Sequence, residues 1–218
     1  MTSIRYKIWT TLMLMLCVAQ GVGAKAINTK NLSIAPGQTR EFYIYMNTSV
    51  SNMVAFQIDL ELPEGLTVNV DKCALTSRIL DKEQELFVGE VGTRVYRLVS
   101  ASYNLTYLTK EDDTLVKVSV TASDTFKGGT VKLTNMVTAT AASAKSGWKE
   151  DNFLVTAVKN EKGDIDYNGK VDITDAMLIV DYVLDDEALY QSNMDVNGDR
   201  KIDVSDTMEV VDLILNQE

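Results

Sequence analysis

Asp164, Asp166, Asn168, Asp172 and Asp175 put oxygen-bearing side chains at positions 1, 3, 5, 9 and 12 of a twelve-residue stretch. Asp195, Asn197, Asp199, Asp203 and Asp206 repeat that spacing in a second stretch. A loop of this length and spacing wraps a hard cation such as Ca²⁺ with oxygen ligands. Each stretch gathers four carboxylates and one amide into a small volume, and without a cation those charges repel at short range. The pair therefore calls for bound calcium, and this part of the fold is expected to depend on it.

The elements around the two stretches are the same in both copies. Before them the chain is short and polar (Asn160-Glu161-Lys162-Gly163 and Gln191-Ser192-Asn193-Met194), which argues against an entering helix. After them come apolar runs at helical spacing, Met177, Val180 and Leu184 in the first copy and Met208, Val211 and Leu215 in the second. An EF-hand has helices on both sides and closes its loop with Glu; here position 12 is Asp in both copies.

Loop followed by exiting helix, duplicated in tandem over residues 163–216, resembles the type I dockerin module of cellulosome-type assemblies. The resemblance implies two Ca²⁺ ions. In the first loop the ligands would be Asp164, Asp166, Asn168, the Lys170 carbonyl, Asp172 through water, and Asp175. In the second they would be Asp195, Asn197, Asp199, the Lys201 carbonyl, Asp203 and Asp206. The second loop departs from the pattern at Arg200, where the sharp turn favours Gly. The resemblance also places partner contacts at Thr174 and Ser205, at the start of the exiting helices. Both hydroxyls are equally read as helix caps, and the two roles are compatible. Asp181 and Asp212 hold equivalent places, as solvated residues or as partner contacts.

The first 24 residues read as a secretory signal. Arg5 and Lys7 precede a mostly apolar run from Ile8 to Ala19, and Val22-Gly23-Ala24 offers small residues for cleavage. Cuts after Ala24 and after Ala26 both fit. The run is too short for a stable membrane span. Leu16 stands before Cys17 where a lipoprotein signal has a small residue, so lipidation is not expected. Cleavage after Ala24 removes two cations and no acids, taking the formal net charge from −10 to −12. Such a chain is repelled by nucleic acid and by anionic membranes. The mature chain keeps one cysteine, Cys73, so no internal disulfide is expected. The chain has no histidine, which excludes His-based triads and His metal sites. Carboxylates outside the loops read as turn residues or solvent faces of strands, so no enzyme is expected.

Residues 27–158 read as all-β. Phe56, Ile58, Leu60 and Leu62 alternate with Gln57, Asp59 and Glu61, placing the first set in a core and the second in water. Val116, Val118 and Val120 alternate in the same way with Lys117, Ser119 and Thr121. Further strand-like runs lie at 39–47, 66–70, 94–100, 130–139 and 153–158, punctuated by Pro36-Gly37, residues 110–113 and Lys127-Gly128-Gly129. Short strands with regular turns argue for a β-sandwich. The opening strand with its Pro-Gly turn, residues 56–66, the strand at 115–120 and the closing apolar strand at 153–158 together make this domain resemble a cohesin.

The expected architecture is a signal peptide (1–24), a cohesin-like, jelly-roll-type all-β sandwich (25–158), a linker (159–163) and a small α-helical duplicated calcium-loop, dockerin-type module (164–218). Fully extended, the linker reaches only about 17 Å, so the modules stay close. The function implied by both resemblances is secreted, non-catalytic, calcium-dependent assembly or adhesion in a polysaccharide-degrading context. Its partners would be cohesin or dockerin modules of other proteins, or a second copy of this chain bound head to tail. The alternative is a sandwich that binds glycans at the cell surface through Tyr43, Tyr45 or Trp148.

Overall fold

A computed structural model describes residues 27–46, 52–81, 83–108, 114–142, 145–185 and 188–216. The signal-like segment 1–24 and the turn at 110–113 lie outside the described residues. The strands, in chain order, are β1 (Ile27–Asn28), β2 (Leu32–Ile34), β3 (Thr39–Met46), β4 (Met53–Glu61), β5 (Leu66–Val68) and β6 (Ala74–Leu75). They are followed by β7 (Leu86–Gly92), β8 (Val95–Ala101), β9 (Thr114–Ala122), β10 (Gly129–Thr140), β11 (Lys145–Gly147) and β12 (Asp151–Ala157). Two helices follow, α1 (Ile173–Leu184) and α2 (Val204–Leu215).

The strands form two sheets. One runs β1-β3-β9-β5, with β6 also on β9; the other runs β2-β12-β10-β4-β8-β7, with β11 also on β10. The pairing is antiparallel except where β2 joins β12 in parallel. Ile44, Ile58, Leu60, Leu98, Val116, Val118, Leu133 and Val155 fill the space between the sheets, and the Phe42 and Phe153 rings meet across it at 5.1 Å. The closing strand expected at 153–158 is β12, in which Phe153 and Val155 are buried while Asn152, Leu154 and Thr156 face water. β7 gave no clear signal in the sequence. It is an edge strand with Gly89 and Gly92 in its run, and its last three residues are exposed.

In β4 the alternation does not hold, because the outer face is covered. Gln57 and Asp59, expected in water, are buried. Asp59 takes a bidentate pair of hydrogen bonds from Arg97 Nε and Nη2, both at 2.7 Å, and a third from Asn135 Nδ2 at 2.8 Å. Asn135 reaches it because β10 bulges between Thr134 and Val137, where Asn135 takes a positive φ of 45°. A lone carboxylate at this position would be expensive to bury; three donors, two of them on a charged guanidinium, make it tolerable. Ser119 and Thr134 are likewise buried outside the apolar layer.

Burial pushes the Cys73 thiol up to about 11, so it stays protonated at neutral pH. Among the described residues, no helix is long and apolar enough to cross a membrane.

Removing one partner of the Asp59–Arg97 pair should cost more than removing both. Asp59→Ala is expected to lower stability by about 2–3 kcal/mol, and Asp59→Leu with Arg97→Met by less. Urea unfolding of the three proteins measures the difference. A double variant no more stable than Asp59→Ala would contradict this account of the pair.

Candidate metal centre

Each twelve-residue stretch folds into a loop that runs straight into a helix. Asp172 and Asp203 cap α1 and α2: their carboxylates accept from Thr174 N and Ser205 N, each at 2.8 Å. Those bonds hold both carboxyls below the usual carboxylate range, with the Thr174 amide the larger cause in the first loop and the Ser205 hydroxyl in the second. Asp175 and Asp206 complete each capping box by accepting from Asp172 N at 2.9 Å and Asp203 N at 3.0 Å.

The second oxygen of each of these aspartates ties the start of its loop to the helix. Asp175 Oδ1 accepts from Ile165 N (2.7 Å) and Asp166 N (3.1 Å); Asp206 Oδ1 accepts from Val196 N (2.8 Å) and Asn197 N (3.1 Å). Both side chains are fully buried. The first position closes the turn. Asp164 accepts from Asn168 N and Gly169 N, and Asp195 from Gly198 N and Arg200 N, over 2.8–3.1 Å. Asn168 Oδ1 accepts from Lys170 N and Asp199 Oδ1 from Lys201 N, at 2.9 and 2.8 Å.

The carboxylate oxygens of Asp164, Asp166 and Asp175 lie within 4.8 Å of one another. Burial, with the charges of Asp175 and Asp166, raises the Asp164 carboxyl against the opposing amide bonds. An all-oxygen set of converging carboxylates with spare lone pairs fits a hard divalent cation. In the second loop Asn197 replaces the carboxylate of Asp166. Its Nδ2 donates to Ser205 Oγ at 2.8 Å, so Ser205 works inside the loop as well as at the helix start.

Positions 4 and 6 of each loop need left-handed backbone. Tyr167 and Gly169 have φ of 63° and 85°; Gly198 and Arg200 have 78° and 72°. Arg200 therefore follows the turn that Gly makes in the first copy, and its amide keeps the equivalent bond at 3.0 Å. Each loop carries one glycine, at opposite positions.

The helices pack through Ala176, Ile179 and Val210, against Ile165, Val196 and Met194. The apolar runs noticed in the sequence lie elsewhere. Met177, Val180 and Leu184, like Met208, Val211 and Leu215, are exposed, as are Ile173 and Val204 beside Thr174 and Ser205. Thr174, Ser205, Asp181 and Asp212 are exposed too. Trp148 packs against the sandwich core and donates to Thr138 Oγ1 at 2.8 Å, and the rings of Tyr43 and Tyr45 meet edge to face at 6.0 Å.

Residues 162–215 match the family model of the dockerin type I domain. Among solved structures, a cohesin from Clostridium acetobutylicum aligns with a TM-score of 0.51 at 14% identity, over 60% of this chain and 88% of its own. The sixth cohesin of scaffoldin B from Acetivibrio cellulolyticus, in complex with a Cel5 dockerin, aligns at 0.50 and 9%, over 61% and 99%. A type I cohesin–dockerin complex from Clostridium thermocellum aligns at 0.50 and 13%, over 64% and 100%. At these identities the likeness is one of fold. No curated protein matches the chain. The chain thus joins a β-sandwich with the cohesin fold to a C-terminal segment that matches the dockerin type I domain.

Proposed function

We propose that this is a secreted, non-catalytic assembly protein whose two loops each bind one Ca²⁺. A dockerin segment beside a cohesin fold indicates a role in protein–protein assembly, and both kinds of module assemble proteins without catalysis. Type I dockerin domains bind calcium. The ligands are Asp164, Asp166, Asn168, the Lys170 carbonyl, Asp172 and Asp175, and their counterparts Asp195, Asn197, Asp199, the Lys201 carbonyl, Asp203 and Asp206.

The observation that carries the reading is the duplicated exposed apolar face. Met177, Val180 and Leu184 on α1 and Met208, Val211 and Leu215 on α2 turn outward on helices that a calcium-dependent loop starts. That face, with Thr174 and Ser205, meets a cohesin on another protein. The sandwich receives a partner of its own, in a setting of polysaccharide breakdown outside the cell.

Chelation should remove helical circular dichroism while leaving the β signal, and calcium should restore it. At free calcium a hundredfold above Kd, each site adds about 2.7 kcal/mol. Asp175→Ala strands three backbone N–H groups and is expected to lose the first site entirely by calorimetric titration. Helicity unchanged in chelator would count against calcium-dependent folding.

Arg200→Gly relieves a left-handed backbone worth about 1–2 kcal/mol and removes a cation. The second site should bind calcium roughly five- to thirtyfold more tightly, since 1.4 kcal/mol is tenfold. The same titration reads it.

Binding to a panel of type I cohesins, in calcium and in chelator, tests the partner face. Met177→Asp with Met208→Asp, on the exposed faces outside the loops, should weaken binding at least roughly tenfold by placing unpaired charge in the contact, with calcium uptake intact. Equal binding by the double variant would move the contact elsewhere.

A further inference from the structure

The edge of β3 opposite β9 is shared between two segments. At one end β1 pairs with Tyr45 and Met46, and Thr29 Oγ1 donates to Tyr43 O at 2.7 Å. At the other end the covering segment is residues 190–192, the connector between the two loops. Gln191 forms an antiparallel bridge with Arg40. Glu41 N donates to Tyr190 O at 2.9 Å and Thr39 N to Ser192 Oγ at 2.8 Å. Tyr190 N returns a bond to Glu41 Oε2 at 2.9 Å, and Ser192 Oγ donates to Gln38 Oε1 at 2.5 Å. Without the connector, Thr39 and Glu41 would present open N–H groups on a sheet edge, which invites pairing with other chains.

The first loop touches the same place. The Arg40 guanidinium lies over the Tyr167 ring, 5.4 Å from its centroid, and donates to Ser33 O at 2.6 Å. Tyr167 stands at position 4, where the second loop has Gly198, with open space around any Cβ placed there. A bulky residue in left-handed backbone carries a cost, and only the copy that faces the sandwich has one there. The connector is also pinned to both loops. Asn193 Nδ2 donates to Asp164 O at 3.0 Å, Met194 is buried in the helical core, and Asp195 opens the second loop.

We propose that residues 38–41 are a receptor edge for the connector of the same chain, and that calcium in the loops holds the connector on it. The two modules then form one rigid body in calcium, and chelation uncovers the edge of β3. This rests on the calcium reading above. Because coupling is reciprocal, docking raises calcium affinity by the factor by which calcium favours docking.

Hydrogen exchange of the full chain, resolved to single amides, tests it in calcium and in chelator, for the natural chain and Tyr167→Gly. Thr39 and Glu41 amides should exchange at least roughly tenfold faster in chelator, at the low end of typical coupling, while those of Val118 and Val120 do not change. In calcium, Tyr167→Gly should speed Thr39 and Glu41 roughly fivefold, with Ile165 and Val196 still protected. If Ile165 and Val196 respond to calcium but Thr39 and Glu41 do not, the calcium control of docking is overturned while calcium binding stands. If none of the four responds, calcium binding by the loops falls, and the coupling with it.

Discussion

One buried carboxylate holds each loop to its helix. Asp175 accepts from the backbone at positions 2, 3 and 9 of its loop, and Asp206 does the same in the second copy. Without it the loop would have no fixed start and the helix no reciprocal cap. The short side chain of Asp keeps both oxygens inside the turn. Glu would carry the charge farther out, where these amides could not all reach it. Asp164 and Asp166 are thereby brought against Asp175 at distances that repel unless a cation joins them. The same bonds that order the loop gather the carboxylates that a hard cation would join.

The repeat shows how much conformational demand a loop of this kind tolerates. Both copies require left-handed backbone at two positions, and each meets the demand with one glycine and one larger residue. Tyr167 is stacked beneath Arg40, while Arg200 is exposed and keeps only its backbone bond. At position 4 the two copies differ where one of them meets the sandwich.

The loops were legible because their chemistry depends on spacing alone: oxygens at fixed positions need no tertiary context to be seen. The strands were legible where one face is wet, as in β12, and also in β4, whose apolar residues alternate. The fate of Asp59 was not legible, because its partners Arg97 and Asn135 come from other strands and a bulge aims one of them. β7 escaped notice because its glycines break the pattern that an edge strand only weakly needs. The outward turn of Met177 and Met208 could not be read either, since helical spacing marks a stripe without saying whether the stripe faces inward. The contact of residues 190–192 with β3 left no trace in the sequence beyond the polar character of the connector.

Two tethers join the helical module to the sandwich, the linker after β12 and the connector on β3. They enter the module at different points, one before the first loop and one between the loops. A partner gripping the outer faces of α1 and α2 would therefore pull on both at once. Tension would load the bridge at Arg40 and Gln191 along with the covalent chain, sharing force between a soft link and a strong one. The junction would thus divide a load between one hydrogen-bonded link and one covalent one.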